Sequence, residues 1–288
     1  STTVDMRGFG INGPSNTLVL INGRRMNDID LVGVDLSTIP RDAIERIEIT
    51  RGNSGAVLYG DSAVGGVINI VTSRPTRHTV ELKPQFGSFS GAKAGTANGS
   101  TPKFDLFTSD IWKKVGFAVE GSIFNTDGFR TVTTEAGPID NNAKVDYRNV
   151  SAKAEYLPTD RVTISGRVGY FKENRDNGKV GELNDTRWTS FSGGVRAAFS
   201  DNSNLQARVF GDVQKAHYNF LAVTNAATLR NIVRLATDQR VPVNGAGSSV
   251  QWQKVIGTTQ MFTAGGDYRW VDGESQEDAY VAAVPTVV

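Results

Sequence analysis

The first residues in this chain that could do chemistry are glycines. Gly8, Gly10 and Gly13 have the G-x-G-x-x-G spacing of a dinucleotide-binding turn. Such a site needs a helix that opens at the third glycine and aims backbone N–H groups at a pyrophosphate. Here residues 14–16 lead directly into the strand-like run TLVLI at 17–21. We therefore interpret the glycines as a tight turn that needs positive φ rather than as a nucleotide site.

Two further segments resemble enzyme loops but are incomplete. Residues 51–55 lack the Gly-Lys-Ser/Thr end of a phosphate loop, and residues 60–64 lack the second glycine of a nucleophile elbow. Cysteine is absent, and the two histidines, His78 and His217, are far apart in the chain. We therefore predict a protein that is not an enzyme, with no catalytic residue, no metal site and no cofactor.

A group of three aspartates leaves a calcium site as an alternative. Asp127, Asp140 and Asp146 flank the predicted loop 127–144, and three carboxylates could hold calcium if that loop folds back. The spacing is not that of an EF-hand, so solvated loop charges are the favoured interpretation.

Composition restricts the class of protein. The 288 residues carry a formal net charge of +1, which gives no overall attraction to nucleic acid. The chain contains no apolar run of about 20 residues, the length that a membrane-spanning helix needs. A hydrophobic content of 39% fits a soluble domain, but it fits a transmembrane barrel equally well, because only alternate residues of a barrel strand face lipid.

The segment 3–72 has the pattern of a small mixed domain. It predicts strands at Val4–Arg7 and Leu18–Ile21, a strand that ends at Arg51-Gly52, and a buried strand near 67–71. Pro40 and residues 41–43 predict one helical turn, and residues 54–59 a second. Because residues 73–77 are polar and contain proline, we place a domain boundary there, with domains at 1–75 and 76–288.

After residue 76 the apolar period becomes two. Residues 162–170, 205–213 and 262–270 alternate in this way, over about the 9–11 residues of a tilted membrane strand. We expect about nine strands, near 78–87, 90–98, 115–126, 145–157, 161–174, 187–199, 204–218, 249–256 and 260–272. A soluble β-sandwich is the alternative, although its strands are usually nearer 5–6 residues.

The connections predict how such strands would sit in a membrane. Short turns at 157–160 and 200–203 alternate with long loops at 127–144, 175–186 and 219–248, which is the asymmetry of outer-membrane barrels. Residues 229–236 predict a short amphipathic helix inside the last of these loops. Residues 99–114 interrupt the pattern and are expected to form a longer periplasmic connection. Tryptophans, among them Trp188, are expected in aromatic girdles at the two interfaces.

The N-terminal segment resembles the second half of the plug domain of TonB-dependent outer-membrane receptors. The resemblance is carried by RGFG (7–10), TLVLING (17–23), IPRDAIERIEITRG (39–52) and GGVINIVT (65–72). It implies a bacterial outer-membrane location and a mainly β fold, in which a C-terminal plug part precedes a partial antiparallel transmembrane barrel. We expect the signal, the TonB-contacting segment and the later strands to be missing, because the family barrel has about 22 strands.

The same resemblance implies uptake of a scarce ligand, driven by TonB and its inner-membrane energising complex. An iron–siderophore is the first expectation. Cobalamin uptake, or a sensor or docking receptor that transports nothing, are the alternatives; outer-membrane lipid is an expected partner and nucleic acid is not. A soluble β-rich enzyme would need a cluster of catalytic side chains, which the sequence does not show.

The resemblance also implies particular site residues. Arg7 and Arg51 match plug arginines that the family pairs with barrel glutamates, in a lock made of guanidinium–carboxylate bonds. Pairing inside the plug with Glu45 or Glu48 is the alternative for both arginines. Ligand contacts are expected from apical plug loops, at Phe9, Ile11, Asn12, Asn27, Asp28 and Ile29.

Overall fold

The protein folds into two β-sheets, one small and one large. A computed structural model describes residues 4–10, 13–26, 34, 36–52, 63–90, 98–132, 135–223, 229–280 and 286–287. The small sheet has four strands and lies between residues 17 and 72, whereas the large sheet has twelve strands and begins at Thr79. The predicted boundary at 75/76 lies in the connection between them and stays a prediction.

The small sheet, called the plug sheet below, is mixed. Its strands are β1 (Thr17–Ile21), β2 (Arg24–Arg25), β3 (Ile44–Arg51) and β4 (Gly66–Thr72), in the order β2-β1-β4-β3. β1 runs parallel to β4, and the other two pairings are antiparallel. Because β1 is central, all five of its residues are buried. The strands predicted near 18–21, 44–51 and 67–71 are confirmed.

The described residues of the plug contain little helix. They form α1 (Gly13–Asn16) and two 3-10 helices, at Leu36–Thr38 and Arg41–Ala43. The second 3-10 helix confirms the turn predicted after Pro40, whereas the helix predicted at 54–59 lies outside the described residues. None of the helices in the described ranges is long and apolar enough to cross a membrane.

The first predicted strand, Val4–Arg7, is wrong. The Asp5 carboxylate accepts hydrogen bonds from the backbone N–H groups of Arg7, Gly8 and Gly10 at 3.0, 3.0 and 2.8 Å. These bonds turn the chain back on itself and lower the pKa of Asp5, with the bond from Arg7 as the largest cause. Gly8 and Gly10 have φ of +74° and +60°, so the glycines serve a turn, as the sequence predicts.

The large sheet, called the barrel wall, contains nine long strands. They are β5 (Thr79–Ser90), β6 (Asn98–Trp112), β7 (Val115–Asn125), β9 (Asp140–Thr159), β10 (Val162–Lys179), β11 (Leu183–Ala198), β12 (Ser203–Val223), β13 (Ile232–Ile256) and β14 (Gln260–Gly273). Three short strands, β8 (Phe129–Arg130), β15 (Gln276–Ala279) and β16 (Thr286–Val287), pair with β9 or β13. The long strands pair with one another in chain order, all antiparallel.

The two faces of the barrel wall differ as the alternation predicts. Val168, Phe191 and Val209 lie on the outer face and are 52%, 54% and 59% exposed. Their neighbours on the inner face include Phe171 and Trp188, which are buried against the plug sheet. A single sheet with an apolar outer face, curved around a small plug, confirms the predicted fold class and rules out the β-sandwich.

Three predictions about the barrel wall are wrong. Residues 99–114 are mostly strand β6 rather than a connection. The strand predicted at 90–98 lies almost entirely outside the described residues and stays a prediction. The helix predicted at 229–236 is also wrong, because β13 begins at Ile232 and pairs there with β12. Finally, β10 to β13 continue through much of the predicted long loops, so that β13 alone has 25 residues.

Candidate plug–barrel interface

The plug sheet packs on the barrel wall through one apolar cluster. Val19 and Ile21 point from one face of β1 towards Phe171 of β10 and Trp188 of β11, and Ile70 of β4 joins them. Phe171 and Trp188 are 3% and 7% exposed. Trp188 is therefore an inward-facing docking residue, and its predicted place in an aromatic girdle is wrong. This cluster is called the dry contact below.

Arg24 extends the dry contact with a charge. Its guanidinium carbon lies 5.5 Å from the ring centroid of Trp188, within the range of a cation–π interaction. Its Nη1 is 3.3 Å from Asp212 Oδ1 on β12. Arg24 is buried in the interface, so this one side chain joins the plug sheet to two barrel strands by two kinds of attraction.

A second ionic contact ties the end of the plug to β9. Arg74 donates from Nε and Nη2 to Glu155 Oε2 at 3.0 and 2.7 Å. Lys153 Nζ lies 3.3 Å from the other oxygen of Glu155 and also donates to the carbonyl of Ser73 at 3.2 Å. Glu155 is 7% exposed. The connection between the two sheets is thus fastened by a barrel glutamate and a barrel lysine.

A third contact lies at the 3-10 helix after Pro40. Lys83 Nζ on β5 donates to Asp42 Oδ1 at 2.8 Å and also lies 2.9 Å from Glu81. Asp42 is the central residue of the helical turn that the sequence predicts after Pro40. This contact joins the plug to the first barrel strand.

A gap of about 1300 Å³ lies between the other face of the plug sheet and the barrel wall. Its lining includes nine cationic side chains: Arg24, Arg25, Arg46, Arg74, Lys153, Arg167, Arg196, Arg208 and Arg269. Three carboxylates also line it, from Glu45, Glu48 and Asp267. Three more carboxylates pair with lining cations from just outside the gap, namely Glu120, Glu155 and Asp212. Cations therefore outnumber carboxylates by nine to six, and this cationic gap is electropositive.

Gly23 shows how closely the two domains meet at the edge of the cationic gap. Its φ is +80°, and the Arg208 guanidinium of β12 occupies the space where a side chain at this position would begin. A larger residue would be strained in this backbone conformation and would have to displace Arg208. The plug turn after β1 is thus in direct contact with the barrel wall.

The two arginines of the predicted lock are brought close together. Arg51 ends β3, and the Arg7 Nη2 atom lies 3.2 Å from the Cβ position of the adjacent Gly52. Both arginines are exposed. Glu45 and Glu48 are the acceptors of the alternative pairing inside the plug. Both form ion pairs with Arg46, whose Nη1 and Nη2 atoms lie 2.8 Å from Glu45 Oε1 and Glu48 Oε1.

Of the six predicted ligand residues, only Phe9 is described. It is 37% exposed, and its ring edge lies 3.3 Å from the Cβ position of Gly65. Ile11, Asn12, Asn27, Asp28 and Ile29 lie outside the described residues.

The three aspartates of the calcium alternative have separate partners. Asp127 accepts from the Ser100 N–H at 2.9 Å, and Asp146 accepts from Asn174 Nδ2 at 2.8 Å. Asp140 accepts from the Arg230 guanidinium at 2.6 and 2.7 Å. Within the described ranges, no three metal-ligating side chains form a group that could hold an ion.

Sequence reasoning missed the residues that dock the plug. Arg24, Asp42, Arg74, Glu155 and Trp188 carry no motif that marks them. The pair Arg24-Arg25 directly after the turn was a weak signal, because two adjacent arginines beside a buried strand need partners. The identity of those partners cannot be read locally, since Arg24 and Asp212 are 188 residues apart.

A long-stranded wall that is apolar outside and holds a small mixed sheet inside defines a plugged outer-membrane barrel. Residues 1–67 match the family model described as the TonB-dependent receptor plug domain. Residues 1–67 therefore form a plug domain of the TonB-dependent receptor family, and the chain as a whole has the fold of these receptors of the bacterial outer membrane, as the sequence resemblance predicted.

Similar proteins support this assignment. The vitamin B12 transporter BtuB of Vibrio vulnificus is 29% identical over 217 residues, which cover 66% of this chain and 35% of the relative. A ferric enterobactin receptor of Pseudomonas aeruginosa is 27% identical over 226 residues, covering 75% of this chain and 27% of the relative. The crystal structure of the siderophore receptor PirA from Acinetobacter baumannii superposes with a TM-score of 0.67 at 17% identity, over 91% of this chain and 41% of that one. The chain thus spans less than half the length of each of these proteins.

Proposed function

We propose that the receptor to which this chain belongs imports an iron–siderophore across the outer membrane, powered through TonB by the proton gradient. The observation that carries the proposal is the cationic gap between the plug sheet and the barrel wall. Relatives of this chain are receptors and transporters, which fits a protein that makes and breaks no bond.

The charge of the gap supports this ligand class. Iron chelated by catecholate or carboxylate oxygens is commonly an anion, and a cleft lined by one sign of charge concentrates the opposite sign. Arginine forks suit such oxygens, because guanidinium presents paired donors to planar acceptors. A passing anion would therefore find favourable contacts along the wall.

Uptake of cobalamin is the second candidate. It is favoured by the similarity to BtuB, the vitamin B12 transporter, over 66% of this chain. Cobalamin has little net charge, so the cationic lining would contribute little to its passage. The charge of the gap therefore favours the iron–siderophore over cobalamin.

The interface also supports a plug that is held and yet can be displaced. Its dry contact is small, and the remaining contacts near Asp42 and Glu155 are ionic, so they can exchange with water under load. A pull by TonB on the plug would widen the gap. We retain Arg7 and Arg51 as part of the lock, and Phe9, Ile11, Asn12, Asn27, Asp28 and Ile29 as ligand contacts, all as proposals.

The test is uptake by the full-length receptor in a strain that lacks the chromosomal gene. We expect transport of a ferric siderophore, with no transport when TonB is deleted. Changing Arg196→Gln and Arg208→Gln together should lower the uptake rate about tenfold, equivalent to ~1.4 kcal/mol, because both cations line the gap. Binding at the cell surface should stay unchanged.

The matched control is Arg161→Gln, which removes one cation from the short turn between β9 and β10 and should leave uptake unaltered. Transport of cobalamin alone, insensitive to the double substitution, would establish the second candidate instead. Absence of uptake for both ligands, with surface binding intact, would leave a docking receptor.

A further inference from the structure

Four cationic side chains lie side by side across the barrel wall. Arg148 on β9 is the register partner of Lys172 on β10, which is the partner of Arg187 on β11, which is the partner of Lys215 on β12. Neighbouring strands are about 4.8 Å apart, so the four positions span roughly 15 Å. This set is called the basic row.

The basic row is on the outer face of the wall. Each of its residues is next in sequence to a buried inner-face residue, respectively Asn149, Phe171, Trp188 and Ala216. Because successive side chains on a strand point to opposite faces, the four cations point away from the plug. Lys172 is partly exposed, and the other three are exposed. The row is therefore separate from the cationic gap and from the ligand path.

The height of the row matches the edge of the hydrocarbon layer. Val150, Tyr170 and Val213 on the outer face come two residues before it, towards the short turns, and are 48%, 42% and 41% exposed. Lys172 is ten residues from Val162, where β10 leaves its short turn. At ~3.3 Å per residue and a tilt of ~40°, that distance is about 25 Å along the membrane normal, which is the apolar height of an outer-membrane barrel.

The row lies at the outer leaflet. Short turns, such as the one between Thr159 and Val162, mark the periplasmic end of an outer-membrane barrel, and longer extracellular segments mark the other end. The basic row is on the far side of the apolar band from those turns. Its long side chains can therefore extend into the headgroup layer while their stems cover apolar surface.

The protein itself does little to neutralise the row. Among the described residues, no carboxylate forms an ion pair with Arg148, Lys172 or Lys215, and the carboxylate of Asp185 is 3.8 Å from Arg187. The same carboxylate also faces His217 at 3.5 Å. Like charges opposite one another on adjacent strands are destabilising, so an external anion would relieve this repulsion.

We propose that the basic row binds the phosphate groups of phosphorylated lipids in the outer leaflet. Four cations in a line, level with the headgroups and beside lipid-facing Val150 and Val213, fit several phosphates attached to an acyl-chain layer. A soluble anion would not explain the position at the edge of the apolar band. The lipid would hold this sector of the wall, from β9 to β12, at a constant height in the membrane.

The test is native mass spectrometry of the full-length receptor in neutral detergent, titrated with bisphosphorylated lipid A. The variant combines Lys172→Gln, Arg187→Gln and Lys215→Gln. We expect the wild-type receptor to retain lipid A and the triple variant to bind it at least about tenfold more weakly, as expected for the loss of three headgroup cations. A Lys172→Arg, Lys215→Arg variant should retain binding, because its charge is unchanged.

The matched control removes three cations at the opposite rim, through Lys113→Gln, Arg161→Gln and Lys254→Gln, and should bind lipid A as the wild type does. Equal binding of phosphatidylcholine by all variants would show that the wall is intact. Lipid A affinity of the triple variant within twofold of wild type would overturn the proposal. So would complete competition by inorganic phosphate, since the site would then recognise a free anion rather than a lipid.

Discussion

The two faces of the plug sheet meet the barrel in different ways. One face presents Val19 and Ile21, which pack without an intervening gap on Phe171 and Trp188. The other face presents Glu48 and Asn69 to the cationic gap. The difference arises because successive side chains along a β-strand point to opposite faces of the sheet. A plug that is fixed at one face and spaced from the wall at the other can stay docked and still leave a passage.

The two kinds of contact should differ in strength. Burial of apolar surface contributes about 25 cal/mol per Å² and does not depend on salt, whereas exposed ion pairs contribute about 0–1 kcal/mol and weaken as salt rises. The dry contact is therefore expected to hold the plug, and the contacts at the gap to adjust its position. Three substitutions, taken in the full-length receptor, examine this difference.

The largest effect is expected at Trp188. Trp188→Ala removes a buried ring from the dry contact together with its cation–π partner for Arg24, and should weaken plug docking by about 3–5 kcal/mol. Hydrogen exchange at the Thr17–Ile21 amides measures this as faster opening of β1. Phe191→Ala is the control on the same strand, because Phe191 lies on the outer face and is 54% exposed. Equal exchange in the two variants would contradict a dry contact that holds the plug.

A smaller effect is expected at Glu155. Glu155→Gln removes the charge that pairs with Arg74 and Lys153, and should cost about 2 kcal/mol, since hydrogen bonds to charged groups contribute roughly 1.5–3 kcal/mol. Proteolysis in the connection 73–77 reports release of this end of the plug. Glu81→Gln changes an exposed carboxylate on β5 and should leave the cleavage rate unaltered. If Glu155→Gln were cleaved no faster than wild type, the ion pairs of Glu155 with Arg74 and Lys153 would not hold this end of the plug.

The smallest effect is expected at the gap face, at Glu48. Its pKa is lowered from the ordinary 4.5, first by the hydrogen bond from Asn69 and then by Arg46. Because this pKa is lower in the folded protein than in the unfolded chain, Glu48 stabilises the fold fully above about pH 4.5. That stabilisation disappears as the pH falls through the lowered pKa. Because Glu48 is about half exposed, Glu48→Gln should change the free energy of unfolding by no more than about 0.5 kcal/mol at neutral pH. The measurement is the denaturant midpoint of Glu48→Gln. If it shifted as far as the midpoint of Trp188→Ala, the two faces of the plug sheet would not differ in the strength of their contacts.

Local pattern predicted most of the fold. The alternation in residues 162–170 and 205–213 was sufficient to predict the strands and the face that points outward, because lipid contact imposes a period of two on the sequence itself. It did not predict how far the strands continue beyond the membrane. Strand β6 was missed because its outer face carries Thr108 and Asp110 between Leu106 and Trp112, which weakens the alternation. The helix predicted at 229–236 failed for the opposite reason. Its apolar spacing fitted a helix, but pairing with β12 supplied the backbone hydrogen bonds of a strand.

The candidate site could be predicted only in part. The plug and its arginines Arg7 and Arg51 follow from short motifs, and their nearness to each other emerges in the structure. The docking partners Asp212 and Glu155 have no local signature, and an isolated acidic residue on a strand is as compatible with solvent as with an ion pair. Nor could Trp188 be assigned to the lumen with certainty, because an aromatic near a strand end also fits an interfacial girdle.

What this sequence determined by itself is the set of properties that depend on near neighbours: strands of membrane length, tight glycine turns, and a plug segment recognisable by its order of motifs. The tertiary structure decided which side chains meet. Arg24 finds Asp212 across 188 residues, and four cations on separate strands form one row, only because strand register places them at the same height. Register is a property of the whole sheet, so contacts between distant strands, and the ligands those contacts suit, become visible only after the chain has folded.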